Sequence, residues 1–380
     1  MKKSHLKITG IVLALVVVFT ATACCTGTPT DQNQLQTTQQ TSLATPPEHT
    51  VPAAPAASVP AVSAGSATCS PVTITQTDGK EVTLPCMPKR IIVTNSDAAE
   101  MLIALGAADT VVGIVETTKN VSYIMEKIPQ AQSIGDWQTP NIEQMLALKP
   151  DAVISYASSK PKNLDQILAA NITIIYLDCY RLPKLAQDAR AVGTLTGHEQ
   201  QAGEYAALVE NTTATIMNRA GAVPRTDLPE VYFEGYSDFT AAGTGSGSDD
   251  LLMMAGGKNI AANLSGSSPK VSAEWVVAQK PAFILKAISA KETRPYREIV
   301  LTLDNRTGWD TIPAVRNDHV HLYNSGILYG PKSYIGLAYT AKILHPELFK
   351  DLDPHTMLDE YAGKYVSGTN TTTTVYPEPG

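Results

Sequence analysis

The side chains best suited to chemistry in this sequence are a scattered set of aromatics and cations. Trp137, Tyr156, Tyr180, Tyr236, Phe239 and Tyr329 offer flat apolar faces, while Lys286 and Arg294 offer positive charge. Such a set suits a macrocycle or a catecholate chelate, held by stacking and by neutralisation of its anionic groups. Other constellations fall short. His319 and His321 stand two apart, on one face of a strand, which is workable metal-ligand geometry. No histidine lies between His49 and His198 to complete a set from the first half of the globular chain, so the pair reads as structural and no metal site is expected. The run from Gly243 to Asp249 resembles a phosphate cradle but lacks the Gly-Lys-Ser/Thr ending. It reads as a flexible loop capped by Ser248 and bordering a cleft. No Ser/His/Asp or Cys/His set stands out, so the chain is not read as an enzyme and no cofactor is expected.

Two acids are placed more systematically. Glu143 opens the segment Glu143-Gln144-Met145-Leu146-Ala147-Leu148-Lys149-Pro150-Asp151, and Glu274 opens Glu274-Trp275-Val276-Val277-Ala278-Gln279-Lys280-Pro281-Ala282. In both, a short helix is stopped by Lys-Pro and followed by an apolar strand, because proline lacks a donor and clashes with the preceding turn. A weaker pair, Glu100 to Gly106 and Asp250 to Gly256, occurs in the same order. One α/β lobe is therefore expected to be used twice, with a matched surface acid on each copy. An acid in a first helical turn is also favoured by the helix dipole alone, but the dipole does not explain the shared register.

These residues must be positioned by alternating strands and helices. Strands are expected at 90–94, 111–115, 152–155 and 173–176, then at 230–233, 283–286 and 319–323. Helices are expected at 98–105, 142–148, 164–170 and 334–344. Near-continuous apolar strands alternating with helices imply parallel sheets covered on both faces. Ligands of such sheets sit beyond the carboxyl ends of the strands, which is where the aromatic residues named above fall. A long segment from Glu199 to about Arg219, free of proline, reads as one helix of ~30 Å joining the lobes.

The ends and the cysteines place the chain. Lys2, Lys3 and Lys7 precede an apolar run from Ile8 to Phe19 and a small-residue stretch ending in Ala21-Thr22-Ala23, the pattern of an export signal. Cleavage there is ordinary, or Cys24 becomes the acylated first residue of a lipoprotein. The divisions expected are 1–23 signal, 24–68 disordered tether, 69–197 first lobe, 198–222 connecting helix, 223–360 second lobe and 361–380 flexible tail. A net charge of −7 without a basic cluster argues against nucleic acid. Cys69 and Cys86 flank a hairpin signal around Asp78-Gly79. A four-residue loop, Gln76 to Gly79, would set Thr75 against Lys80 and the two cysteines face to face as a disulfide. A two-residue turn would put them out of register by two. Cys179 is left as a buried small residue.

The succession Val82-Thr83-Leu84-Pro85, Pro88-Lys89-Arg90-Ile91-Ile92-Val93, Leu105-Gly106, Val112-Gly113-Ile114 and Leu148-Lys149-Pro150-Asp151 resembles substrate-binding proteins of iron-siderophore and cobalamin ABC importers, over about residues 71–350. The segment Asp136 to Glu143 is similar to the part of cobalamin-binding members that supplies an aromatic ligand contact, here Trp137, and a docking acid. The resemblance implies two Rossmann-like lobes joined by one long helix, with ligand in the cleft between them. It implies that Glu143 and Glu274 meet arginine pockets of a dimeric permease. The expected function is a monomeric, membrane-tethered or secreted extracytoplasmic receptor for a metal chelate, foremost a ferric siderophore. Cobalamin or haem is the alternative ligand, and a cell-surface enzyme or adhesin the alternative of another class.

Overall fold

The two apolar series of the sequence become two five-stranded sheets with helices on both faces. The structure, a computed structural model, describes residues 69–366 and 374–379. The expectations for the signal, Cys24 and the tether fall outside the described residues.

The first lobe begins with a hairpin of β1 (Val72–Thr75) and β2 (Glu81–Leu84). It continues through β3 (Ile91–Val93), α1 (Ser96–Ala104), β4 (Val111–Ile114), α2 (Glu116–Lys119), α3 (Ser122–Lys127) and β5 (Gln132–Ser133). Then come α4 (Ile142–Ala147), β6 (Ala152–Ser155), α5 (Leu164–Ala169), β7 (Ile174–Tyr176) and α6 (Leu182–Thr196). The sheet is parallel, in the order β5-β4-β3-β6-β7. Side chains alternate across it as a period of two requires. Ile91, Val93, Ile154 and Ile175 face the inner core, while Ile92, Val153 and Ile174 face an outer cluster under α4 and α5.

Helix α7 (Glu199–Ala220), 22 residues long, follows Gly197 and His198 and leads into the second lobe. There the chain forms β8 (Glu230–Glu234), α8 (Gly247–Met254), β9 (Lys258–Asn259), α9 (Ala273–Gln279), β10 (Phe283–Ile288) and α10 (Tyr296–Asp304). It ends with α11 (Pro313–Arg316), β11 (Val320–Asn324), α12 (Ser325–Leu328), α13 (Ser333–Leu344), α14 (Pro354–Lys364) and β12 (Val375–Tyr376). The order is β9-β8-β10-β11-β12, with β12 antiparallel at the edge.

The repeat survives in backbone detail. Lys149 and Lys280 both adopt a left-handed conformation, φ 46° and 50°, before their prolines. That conformation is uncommon outside glycine, so its use at the same position twice is informative. Asp151 donates its N–H to Arg90 and Ala282 donates to Glu230, each entering its sheet beside the first strand. Gly106 and Gly256, both at positive φ, end α1 and α8, and the next residues, Ala107 and Gly257, donate back to Leu102 and Leu252. These matches equate β3, β4, β6 and β7 with β8, β9, β10 and β11. Each lobe then adds one strand, β5 or β12, at opposite edges of the shared four-stranded core.

Three expectations change. The hairpin pairs Thr75 with Glu81, not Lys80, because Gln76 N–H closes a five-residue loop on the Lys80 carbonyl. Cys69 and Cys86 are nonetheless a disulfide, since the chain leaves strand geometry at Pro85 and brings the Cα atoms to 5.3 Å. The stretch 361–380 is not uniformly a tail: α14 runs to Lys364, and Val375–Tyr376 pairs with Tyr323 and Leu322. Helices α6, α10 and α14, absent from the expected set, cover the sheets.

The lobes do more than meet at α7. One core cluster runs from the inner face of the first sheet, through Leu185, Val192, Tyr205 and Val209 of α6 and α7, to Leu251, Tyr334 and Leu337 of the second lobe. Tyr205, fully buried, donates its hydroxyl to the Pro331 carbonyl at 2.5 Å. Prising the lobes apart would expose side chains worth ~1.5–3 kcal/mol each, so the fold favours a fixed cleft with small excursions.

Candidate functional site

The strand orders fix where a ligand can enter. In the first sheet the order reverses between β3 and β6, in the second between β8 and β10, and crevices open beyond the carboxyl ends at such points. The two sets of loops face each other across a cavity of about 890 Å³, near the upper end of the ~300–1,000 Å³ usual for organic ligands. Asn95 caps α1 by accepting from Ala98 N–H, which sets Asp97 in the first turn. Asp178 accepts from the Ala157 and Ser158 N–H groups at 2.7 and 3.2 Å and pins the loop carrying Tyr156. Asp136 does the same for the Trp137 loop through the Gln138 N–H. A line of rings results: Trp137, Tyr156, Tyr180 and Tyr329 pack edge to face with centroids 6.1, 5.8 and 6.4 Å apart. The last step crosses from one lobe to the other.

The polar floor is acidic and buried. Tyr156 donates to Asp97 at 3.1 Å, and burial pushes the Asp97 carboxyl up to about 7, with Tyr156 opposing and Glu100 adding. Gly330, in left-handed conformation, lies so close that a Cβ there would fall 2.8 Å from Asp97 Oδ1. Glu100 pairs with the Lys332 ammonium and accepts from the Tyr123 and Tyr361 hydroxyls. Its repeat counterpart Asp250 pairs with Arg181 at 2.5 Å. Arg181 precedes α6 as Lys332 precedes α13, so each lobe's acid grips a cation of the other lobe. Burial raises Tyr156 and Tyr329, so their hydroxyls stay protonated donors. Among the described residues no group of three or more His, Cys, Asp or Glu is arranged to hold a metal ion.

A family model described as a periplasmic binding protein matches residues 91–325, from β3 to the start of α12, spanning both strand reversals. The chain belongs to that family. A lipoprotein of Bacillus subtilis, YvrC, named an uncharacterized ABC transporter substrate-binding protein, is 26% identical over 289 residues, 74% of this chain and 88% of the relative. A cobalamin-binding protein of Halobacterium salinarum is 27% identical over 265 residues, 67% of this chain and 70% of its own. In structure the chain is similar to the TroA-like periplasmic binding protein FepB of Veillonella parvula, with TM-score 0.68 and 22% identity over 80% of this chain and 99% of that one. This periplasmic binding protein shares the two-lobed α/β fold of that structure, and its Bacillus relative is by name a substrate-binding lipoprotein of an ABC transporter.

Of the ligand residues expected from sequence, the structure brings Trp137, Tyr156, Tyr180, Tyr236 and Tyr329 to the cavity. It does not bring Phe239 or Arg294. Phe239 sits at φ 55° and packs on Trp309 at 6.2 Å beneath the Arg306 guanidinium. Arg294 is exposed and chelated by Glu292, two residues before it. Lys286 is buried on Glu234, and His319 and His321 bond the Ala282 and Pro377 carbonyls as structural groups. The cap of the glycine-rich loop is Ser246, while Ser248 meets the Tyr329 hydroxyl at 3.0 Å and so does border the cleft. Sequence reading missed Glu100 and Lys332 as floor residues. Their signals were an acid on an otherwise apolar helix face and a cation at the position mirrored by Arg181. Glu143 and Glu274 are both exposed at the second residue of helices capped by Asn141 and Ser272.

Proposed function

We propose that this binding protein captures a bulky metal complex with an organic surface, a cobalt corrinoid foremost, and hands it to a permease through Glu143 and Glu274. The observation that carries the reading is the cavity of about 890 Å³ walled by the Trp137–Tyr156–Tyr180–Tyr329 line. A flat macrocycle can stack there without a protein ligand to its metal. Relatives named for cobalamin and vitamin B12, 27–28% identical, support the same ligand class. The second reading is a ferric siderophore, favoured by the tyrosine hydroxyls that can donate to chelate oxygens. Adding cyanocobalamin or a ferric siderophore should quench tryptophan fluorescence, whereas simple metal salts and sugars should not. Tight binding of a bare metal ion would overturn the reading.

The delivery half has its own test. Replacing Glu143 and Glu274 together with Ala should leave ligand affinity intact and abolish uptake. Each exposed acid–arginine pair is weak, but two on one rigid body act through effective concentration. Normal uptake by the double variant would remove the docking assignment. A Cys24 lipid anchor is part of the same proposal, in keeping with the lipoprotein name of the Bacillus relative.

A further inference from the structure

We propose that the cleft selects by charge, accepting corrinoids or chelates that are neutral or positive and rejecting anionic ones; this rests on the cavity being the ligand site. Glu126 from the first lobe and Glu292 from the second line the cavity, in addition to Glu100, and the buried Asp97 adds its charge only as pH rises through about 7. Among the described residues that line it, Lys332 is the only Lys or Arg, and its ammonium is committed to Glu100. The stretch 367–373, which precedes the lining residue Thr374, contains no charged side chain. Other cations of the two lobes are engaged elsewhere: Lys286 and Arg306 on Glu234 and Asp238, and Arg181 on Asp250. Arg294 offsets Glu292 from outside the cavity, and among the described residues Glu126 has no such partner.

The rings act in the same direction. The face of an aromatic ring carries negative potential and attracts a cation. The edge-to-face line of Trp137, Tyr156, Tyr180 and Tyr329 turns such faces in alternate directions along the wall. A chelate with net negative charge would meet carboxylates and ring faces, with no uncommitted ammonium or guanidinium among the described lining residues. Each unit of ligand charge beside a partly solvated carboxylate alters affinity by roughly three- to tenfold at low salt.

Calorimetric titration of the full chain tests this with probes of matched bulk. The set is a ferric trihydroxamate bearing a free ammonium, its acetylated neutral twin, an anionic ferric tris-catecholate, and the pair aquacobalamin and cyanocobalamin. In each pair the cationic member should bind roughly three- to tenfold tighter than the neutral one at low salt, with the tris-catecholate weakest. Glu126→Gln and Glu292→Gln, both at the rim, should each narrow the gap, as should salt near ~0.5 M. Tightest binding of the tris-catecholate, or a ranking indifferent to charge, would overturn charge selection while leaving the ligand site standing. Failure of every probe to bind would overturn the ligand reading and this inference with it.

Discussion

The two lobes end their central strands differently, and the difference explains why three of the four rings in the aromatic line come from the first lobe. Extending the shared registers by one residue matches Thr94 and Ser155 of the first lobe with Glu234 and Lys286 of the second. Thr94 and Ser155 are small, buried and neutral, and Thr94 turns its hydroxyl onto the Ile154 carbonyl. The space beyond them is left to Asp97, Tyr156 and the cavity. In the second lobe Glu234 and Lys286 bond across the strands at 2.8 Å, and Arg306 closes on Glu234 at 2.9 Å. Burial alone would raise the Glu234 carboxyl, but Arg306 and Lys286 outweigh it and hold it below its ordinary value. One copy of the repeat keeps its crevice open to the cavity. The other fills the equivalent crevice with an ion cluster and serves as a buttress.

The comparison breaks first at the cluster. Glu234→Ala would leave Lys286 and Arg306 with only the exposed Asp238 to share, and removing the buried partner of such a cluster costs ~3–5 kcal/mol. Denaturant unfolding should show that loss, while the wall residues of the first lobe keep their positions. A loss under about 1 kcal/mol would mean that water and the exposed Asp238, already paired with both cations, suffice for them, and the buttress idea would fall.

A smaller effect separates wall from buttress directly. Trp137→Ala should weaken binding of a corrinoid or ferric chelate about tenfold or more, from loss of a stacking contact worth ~1–3 kcal/mol. Phe239→Ala should leave affinity unchanged, because its ring lies against Trp309 and Arg306, although stability should drop. Equal affinity losses in both variants would erase the distinction between the lobes.

Most of the architecture was legible because it rests on local signals. The Lys-Pro stops at Pro150 and Pro281, the glycines Gly106 and Gly256, and the apolar strand runs each act within a few residues. Helix α6 was not legible, and Gly193 shows why. A glycine in mid-sequence reads as a breaker, yet here it lets α7 approach, since a Cβ at Gly193 would fall 2.3 Å from Ala202 Cβ. The site was half legible for a related reason. Strand ends could be found, so Tyr156, Tyr180 and Tyr236 fell into place. Whether a loop residue turns toward the cleft depends on its backbone and on competing partners. Phe239 is turned by a left-handed residue conformation, and Arg294 is captured by Glu292. The hairpin register depended on one hydrogen bond, Gln76 N–H to the Lys80 carbonyl, which composition does not reveal.

The smallest effect concerns Asp97, the acid that the open crevice leaves under the aromatic wall. Its folded carboxyl titrates at about 7 against an ordinary 3.8, mainly from burial. Between those values the unfolded chain has released the proton while the folded protein still holds it. Fewer protons are then bound in the unfolded state, so Asp97 makes stability fall as pH rises through this window, and the penalty is complete above about 7. Asp188, raised by its own burial to about 6, adds a slope of the same sign. That slope is common to wild type and an Asp97 variant and cancels in their difference. Asp97→Asn keeps the shape and an acceptor for the Tyr156 hydroxyl, so it should match wild type near pH 4. Near pH 8 it should melt a few degrees higher, as expected for a gain on the order of 1 kcal/mol in a chain this size. Melting temperatures of both proteins across that range check the sign. A difference that does not grow with pH, or one that favours wild type at pH 8, would mean that Asp97 is solvated in the open cleft and carries full charge beneath the ligand.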